Sequence, residues 1–216
     1  MSQNQENQES QPTENNIISD DDCSVVSECE FELEQEPKTF QENNILNRNW
    51  VLWYHDPNNM DYTLASYINL GLIKSIEGFW HYYNQLKHIQ LQNGMFFLML
   101  EGVLPTWEDT INGGFWSYKI DKKDIVQAWT KLSIFMLSDN FVDKNENGDK
   151  LDDEIIGISI SPKKTFTILK VWLKNDLLKD KVKINNEIPF IKNEEPIYRS
   201  HLETKKKEEQ IRNNSS

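Results

Sequence analysis

At 216 residues the chain is long enough for one domain with a sizeable core, and a net charge of -12 spread evenly would argue against a nucleic-acid ligand. The charge is not even: residues 1–43 hold twelve acidic side chains and one lysine, a net -11, which leaves -1 for the rest. All seven tryptophans lie in that nearly neutral remainder.

Taken in chain order, residues 1–43 are polar and acidic, with too few apolar groups to offset chain entropy, and are predicted to be a disordered tail. Both cysteines, Cys23 and Cys29, fall there, so the body has no disulfide scaffold, and a lone Cys-x5-Cys pair is not a convincing metal site. No charged-then-apolar leader and no run of membrane-spanning length is present, and the expectation is a soluble, cytoplasmic monomer without metal or cofactor. The body is read as one domain, 44–216.

Residues 49–54, NWVLWY, are aromatic and β-branched enough for a strand, ended by the turn formers of 56–61. A helix is predicted over 75–89, with Ser75 as N-cap, Glu77 in the first turn and Ile76, Phe79, Trp80, Tyr83 and Leu86 at helical spacing. Residues 95–100, MFFLML, read as a buried strand. The stretch 104–116, LPTWEDTINGGFW, then sets Trp107 against two carboxylates and runs through Gly113-Gly114 into Trp116. A further strand is predicted over 115–120 and a second helix over 121–138, with Ile125, Trp129, Leu132, Phe135 and Met136 on one side. A polar loop follows. IIGISIS at 155–161 and FTILKVWL at 166–173, separated by Pro162-Lys163-Lys164-Thr165, read as a hairpin. Beyond Asp176 the helical signal is weak, and the charged end, from Leu202 on, is predicted to be mobile. The fold class is α+β: the simplest arrangement is one antiparallel sheet with the helices packed on one face.

The histidines His55, His81, His88 and His201 are scattered without metal spacing and read as surface or packing residues, and no Walker or dinucleotide glycine loop is present. Adjacent Glu108 and Asp109 are a poor acid–base pair, because neighbours on an extended segment point to opposite faces. No catalytic residue is predicted.

In order and spacing, NRNWVLWY, Phe79-Trp80, LPTWEDTINGGFW, Ala128-Trp129 and the IIGISISPKK hairpin ending in KVW resemble the eukaryotic translation initiation factor 4E family, over roughly residues 44–201; YRSH at 198–201 also resembles the family's end. The resemblance implies a single curved antiparallel sheet with the long helices on its convex face, and binding of the 7-methylguanosine cap of mRNA on the concave side. Methylated guanine is a cation with an electron-poor face, which two aromatic rings sandwich by stacking and cation–π attraction. Trp107 matches one stacking ring, and Glu108 the carboxylate that accepts from the base's N1 and amine. Trp172 matches the tryptophan that lies against the methyl group. The second stacking ring aligns with Thr63, which does not stack; Tyr62, one residue earlier, is the candidate, with Tyr67 or a loop residue as alternatives.

For the phosphates, the family's arginine aligns with Lys163, next to Lys164, a point charge in place of a fork. The family's phosphate-binding lysine aligns with Ile168; Lys170, on the same strand face by alternation, is the substitute. The resemblance further implies a helix-in-groove surface for an initiation scaffold or for competing helical-motif proteins, with Trp80, Ile76 and Ile134 at matching positions. Asn44-Ile45 replaces the family's His-Pro, and Thr130 and Lys131 replace a leucine and an acidic residue. These departures leave a cap-binding repressor or competitor, or an interaction module without the cap, as alternatives to an initiation factor that recruits the scaffold.

Overall fold

The structure is a computed structural model that describes residues 43–144, 148, 150–191 and 195–214. The acidic segment, apart from Asn43, lies outside the described residues.

Seven strands form one antiparallel sheet: β1 (Ile45–His55), β2 (Tyr67–Ser75), β3 (Met95–Leu100), β4 (Gly114–Asp121), β5 (Ile155–Pro162), β6 (Phe166–Leu173) and β7 (Ile197–Ser200), in the order β2-β1-β3-β5-β6-β4-β7. The helices are α1 (Ile76–Gln85), α2 (His88–Asn93), α3 (Ile125–Leu137) and α4 (His201–Asn214). Alternation along the strands divides the side chains. Leu52 and Tyr54, Phe96 and Leu98, Trp116, Tyr118 and Ile120, Ile158 and Ile160, and Leu169 and Val171 face the main core. Phe79 of α1 and Ile125, Ala128, Trp129, Leu132 and Met136 of α3 close over them, as their helical spacing predicts. The opposite face carries a smaller cluster of Phe97, Met99, Ile156 and Trp172, with Trp53 and Tyr67 against it.

Ser75 caps α1, its hydroxyl accepting from Gly78 N at 3.0 Å. The helix predicted over 75–89 is broken, because Leu86 turns extended to bury itself in the core. Lys87 N then donates to Gln90 Oε1 at 2.7 Å and starts α2. The second predicted helix begins at Ile125, after a single 3₁₀ turn at Lys122–Asp124. The hairpin forms as read, with Pro162 opposite Thr167 and Lys163 N donating to the Phe166 carbonyl. The C-terminal stretch differs from its prediction by being helical: α4 follows directly on β7, and among its described side chains only His201 is buried. Its Glu, Lys and Gln content favours helix without a buried face.

Candidate functional site

The inner face of the sheet is a trough made by omission. β5 presents Gly157, Ser159 and Ser161 there, and a Cβ on Gly157 would lie 2.5 Å from Met99 Sδ, so nothing larger fits. Into the space left by these small residues leans Trp172 of β6, its Nε1 donating to Ser159 Oγ at 2.9 Å. The indole meets Phe97 across the trough, with ring centres 6.4 Å apart. On the other side it touches Phe115 at 5.8 Å and His201 at 5.3 Å. From Phe97 the aromatic contacts continue to Tyr67 at 5.4 Å, to His55 at 4.7 Å, and on to Tyr62.

Tyr62 stacks flat on His55, with centroids 4.8 Å apart and planes 5° from parallel. His55 is fully buried, and its Nε2 donates to the Asp61 carbonyl at 2.9 Å. The imidazole is thus a fixed plate under the Tyr62 ring, which is still 44% exposed. Tyr67, the alternative second ring, is packed between His55 and Phe97 and is half-buried. Burial, followed by the charges of Tyr62 and Glu108, pushes its phenol well above the ordinary tyrosine range.

The loop between β3 and β4 supplies Trp107 and Glu108 at the rim. Both ends are fastened: Glu101 N donates to the Asn49 carbonyl at 2.9 Å, and His201 N to the Gly113 carbonyl at 3.1 Å. The Gly-Gly pair allows the return, since a Cβ on Gly113 would sit 2.0 Å from the Leu173 carbonyl oxygen and one on Gly114 2.4 Å from that of Arg199. Within the loop, Asp109 Oδ2 accepts from Leu104 N at 2.8 Å. Glu108 has no hydrogen bond or ion pair among the described residues, and Trp107 is half-buried without a ring partner. Two adjacent carboxylates therefore differ in role: one holds the loop, the other faces outward.

Beneath the loop, His201 Nδ1 donates to the Thr110 carbonyl at 2.9 Å. Burial pulls His201 below the usual histidine range, against the Thr110 carbonyl; Lys170 adds to the shift, and Asp176 and Glu108 oppose it. Lys170 holds its ammonium 4.4 Å from the centre of the Phe115 ring. Lys163 is largely covered at 9% exposure and Lys164 is exposed at the hairpin tip. Of the three predicted phosphate cations, Lys170 is the one on the strand face of Trp172. Sequence reading missed His55, Phe115 and His201 as trough residues. The signal for the first two was period-two alternation, which places His55 on the face of Trp53, and Phe115 on the face of Ser117 and Lys119.

On the helical side, Ile76, Trp80 and Ile134 are exposed by 47%, 36% and 40%. Trp80 meets Phe79 and Tyr83 at ring distances of 5.1 and 5.3 Å, so it is an anchored but open ring and not a core residue. Thr130, in the position of a leucine, accepts from the Tyr83 hydroxyl at 2.6 Å and donates to the Val126 carbonyl at 2.7 Å. Asn44 donates its side-chain amide to Glu77 Oε1 at 2.6 Å and its carbonyl accepts from Ile76 N at 2.9 Å, which ties the chain entry to the start of α1. Among the described residues there is no cluster of metal-ligating side chains and no helix long and apolar enough to cross a membrane.

The structure thus sets a curved antiparallel sheet with helices on one face against a trough of aromatic rings and ring-held cations on the other. A family profile described as Eukaryotic initiation factor 4E matches residues 45–216, and the chain belongs to that family. It is 27% identical over 146 residues to eukaryotic translation initiation factor 4E-3 of Caenorhabditis elegans, covering 64% of this chain and 57% of that protein. To the 4E factor of Candida albicans it is 26% identical over 170 residues, 72% of this chain and 75% of the other. Among solved structures, C. elegans eIF4E-3 in complex with the 4E-binding protein Mextli and a cap analog superposes with a TM-score of 0.63 at 20% identity, over 76% of this chain and 95% of that one. Ascaris suum eIF4E-3 with the m7G cap superposes with a TM-score of 0.53 at 23% identity, over 64% and 77%. At these identities the structural likeness establishes the fold.

Proposed function

We propose that the protein binds the 7-methylguanosine cap of mRNA and acts in translation initiation. Trp107 and Tyr62 stack on the two faces of the methylated base, Glu108 accepts from its N1 and amine, Trp172 lies against the methyl group, and Lys170, with Lys163 and Lys164 farther out, meets the phosphates. The observation that supports this reading is the open Tyr62 ring stacked flat on buried His55, in the same structure as an exposed Glu108 next to Trp107 with no hydrogen bond or ion pair among the described residues. A carboxylate has only acceptors and matches two adjacent N–H donors. Its neighbour Asp109 is engaged with the loop backbone, which supports the reading of a binding protein.

A second reading keeps the cap and changes the output, to a repressor or competitor that does not recruit the initiation scaffold. Thr130, turned to Tyr83, and exposed Lys131 favour it, because they replace apolar and acidic groups on the open face of α3. A pull-down with a scaffold-type helical peptide separates the two: robust capture that Trp80→Ala abolishes supports the initiation factor, and its absence the repressor.

The cap reading is tested by tryptophan-fluorescence titration with 7-methyl-GTP and GTP. The methylated ligand is expected to bind more tightly, and Trp107→Ala or Tyr62→Ala to weaken it by about 1 to 3 kcal/mol each. Glu108→Gln is expected to be equally severe, since it puts a donor or a neutral acceptor opposite two donors. Equal affinity for both nucleotides by the folded protein rejects the cap reading.

A further inference from the structure

The cations of the trough do not stop at Lys170. β4 and β6 run side by side in a register that pairs Phe115 with Trp172, Ser117 with Lys170 and Lys119 with Ile168. All six share the inner face by alternation. Each step of two residues advances about 7 Å along the strands, so the row of Lys119 lies about 14 Å from the row of Trp172. Ile168 brings no charge to that outer row. Lys119 does: its ammonium sits 4.6 Å from the centre of the Phe166 ring, held over an aromatic plate as Lys170 is held over Phe115. The next residue on this face of β4, Asp121, has its carboxylate 3.7 Å from Lys123 and leaves Lys119 without an ion pair among the described residues.

We propose that Lys119 is a binding residue for the outer phosphates of the capped ligand, the second rung of a cation ladder whose first rung is Lys170. The inference rests on the cap reading, and its chemistry is that of a polyphosphate leading away from a stacked base: the inner phosphate meets Lys170, and the outer phosphates meet Lys119 one row farther on. Two ammonium groups pre-oriented on rings lose less side-chain freedom on binding than free surface lysines do. Ser117 and Ser161 flank the path with hydroxyl groups.

The test uses the full chain and three probes, 7-methyl-GMP, 7-methyl-GDP and 7-methyl-GTP, titrated against wild type, Lys119→Gln and Lys119→Arg. Lys119 is exposed, so both variants keep the fold. In wild type the affinity is expected to climb from mono- to triphosphate. Lys119→Gln should bind the monophosphate as wild type does and lose about three- to tenfold for the triphosphate, the scale of one charge-assisted contact, while Lys119→Arg retains the climb. If Lys119→Gln matches wild type on all three probes, or weakens all three alike, the inference is overturned while the cap reading stands. Failure of the wild-type chain to bind any of the three overturns both.

Discussion

His55 underlies the ring that the cap reading needs. It is fully buried, fixed through Nε2 to the Asp61 carbonyl, and parallel to Tyr62. Stacked ring pairs contribute about 0.5 to 1.5 kcal/mol beyond burial. His55→Ala is therefore expected to lower 7-methyl-GTP affinity about two- to tenfold by letting Tyr62 swing, His55→Phe to restore it, and His55→Ala to add nothing in a Tyr62→Ala background. Additive losses in the double variant would show that the imidazole acts elsewhere. Residue types that announce a chemistry stand out in the sequence, Trp107 beside Glu108 and Trp172 at the end of the hairpin, and of these Trp172 lies among the trough rings. His55 is illegible because a lone histidine after an aromatic strand is most often packing, and packing is what it does; its ring contacts with Tyr62 and Tyr67 link it to the trough. The role inferred for Lys119 depends on the register of β4 against β6, which no one-dimensional pattern contains.

At the level of elements, the loop bearing Trp107 and Glu108 is only as well placed as the Gly113-Gly114 return that closes it. A methyl group on Gly113 runs into the Leu173 carbonyl, a backbone atom that has no rotamer by which to move aside. Gly113→Ala is expected to destabilise the domain by about 1 to 3 kcal/mol in denaturant titration and to weaken 7-methyl-GTP binding beyond what partial unfolding explains. Unchanged affinity in the folded variant would mean that the loop tolerates a shifted return. The hairpin β5-β6 and strand β3 were readable because apolar length and turn chemistry agree there. β2 was not: pairing of Leu52 with Gly71 and of Trp53 with Asn69 skips Leu70, and this bulge breaks the period of two that marks a strand. β7 is four residues long and takes its identity from pairing with β4. The charge of the C-terminal stretch predicts mobility, yet its straight-chain charged residues are good helix formers and the stretch is helical as α4. Beyond His201 it buries none of its described side chains, so removal of residues 205–214 is expected to leave the thermal midpoint within about 2 °C of wild type. A larger fall would reveal a packing role for its exposed face.

Across the whole molecule, His201 is where stability and site meet, since one ring closes the junction of β7 and α4, holds the Thr110 end of the loop, and packs on Trp172 and Phe115. Its folded form is held neutral, because burial lowers its affinity for a proton below the ordinary value of 6.5. The unfolded chain thus binds more protons than the folded one between the depressed folded value and about 6.5, and stability must rise with pH across that interval. Denaturant midpoints are expected to be flat above about pH 7 and to fall as the pH is lowered through 6.5 toward the depressed value, before the carboxylates begin to titrate. His201→Asn, whose side-chain amide can still donate to the Thr110 carbonyl, should remove that slope while keeping the neutral-pH structure. The consequence for the ligand follows from the same contact: protonating His201 sets a cation against Trp172 and pulls on the loop that presents Glu108, so 7-methyl-GTP affinity in wild type is expected to drop over the same interval and to become less pH-sensitive in His201→Asn. If the variant keeps the wild-type slope in stability, the acid sensitivity belongs to another group, and the coupling between the buried histidine and the trough is absent.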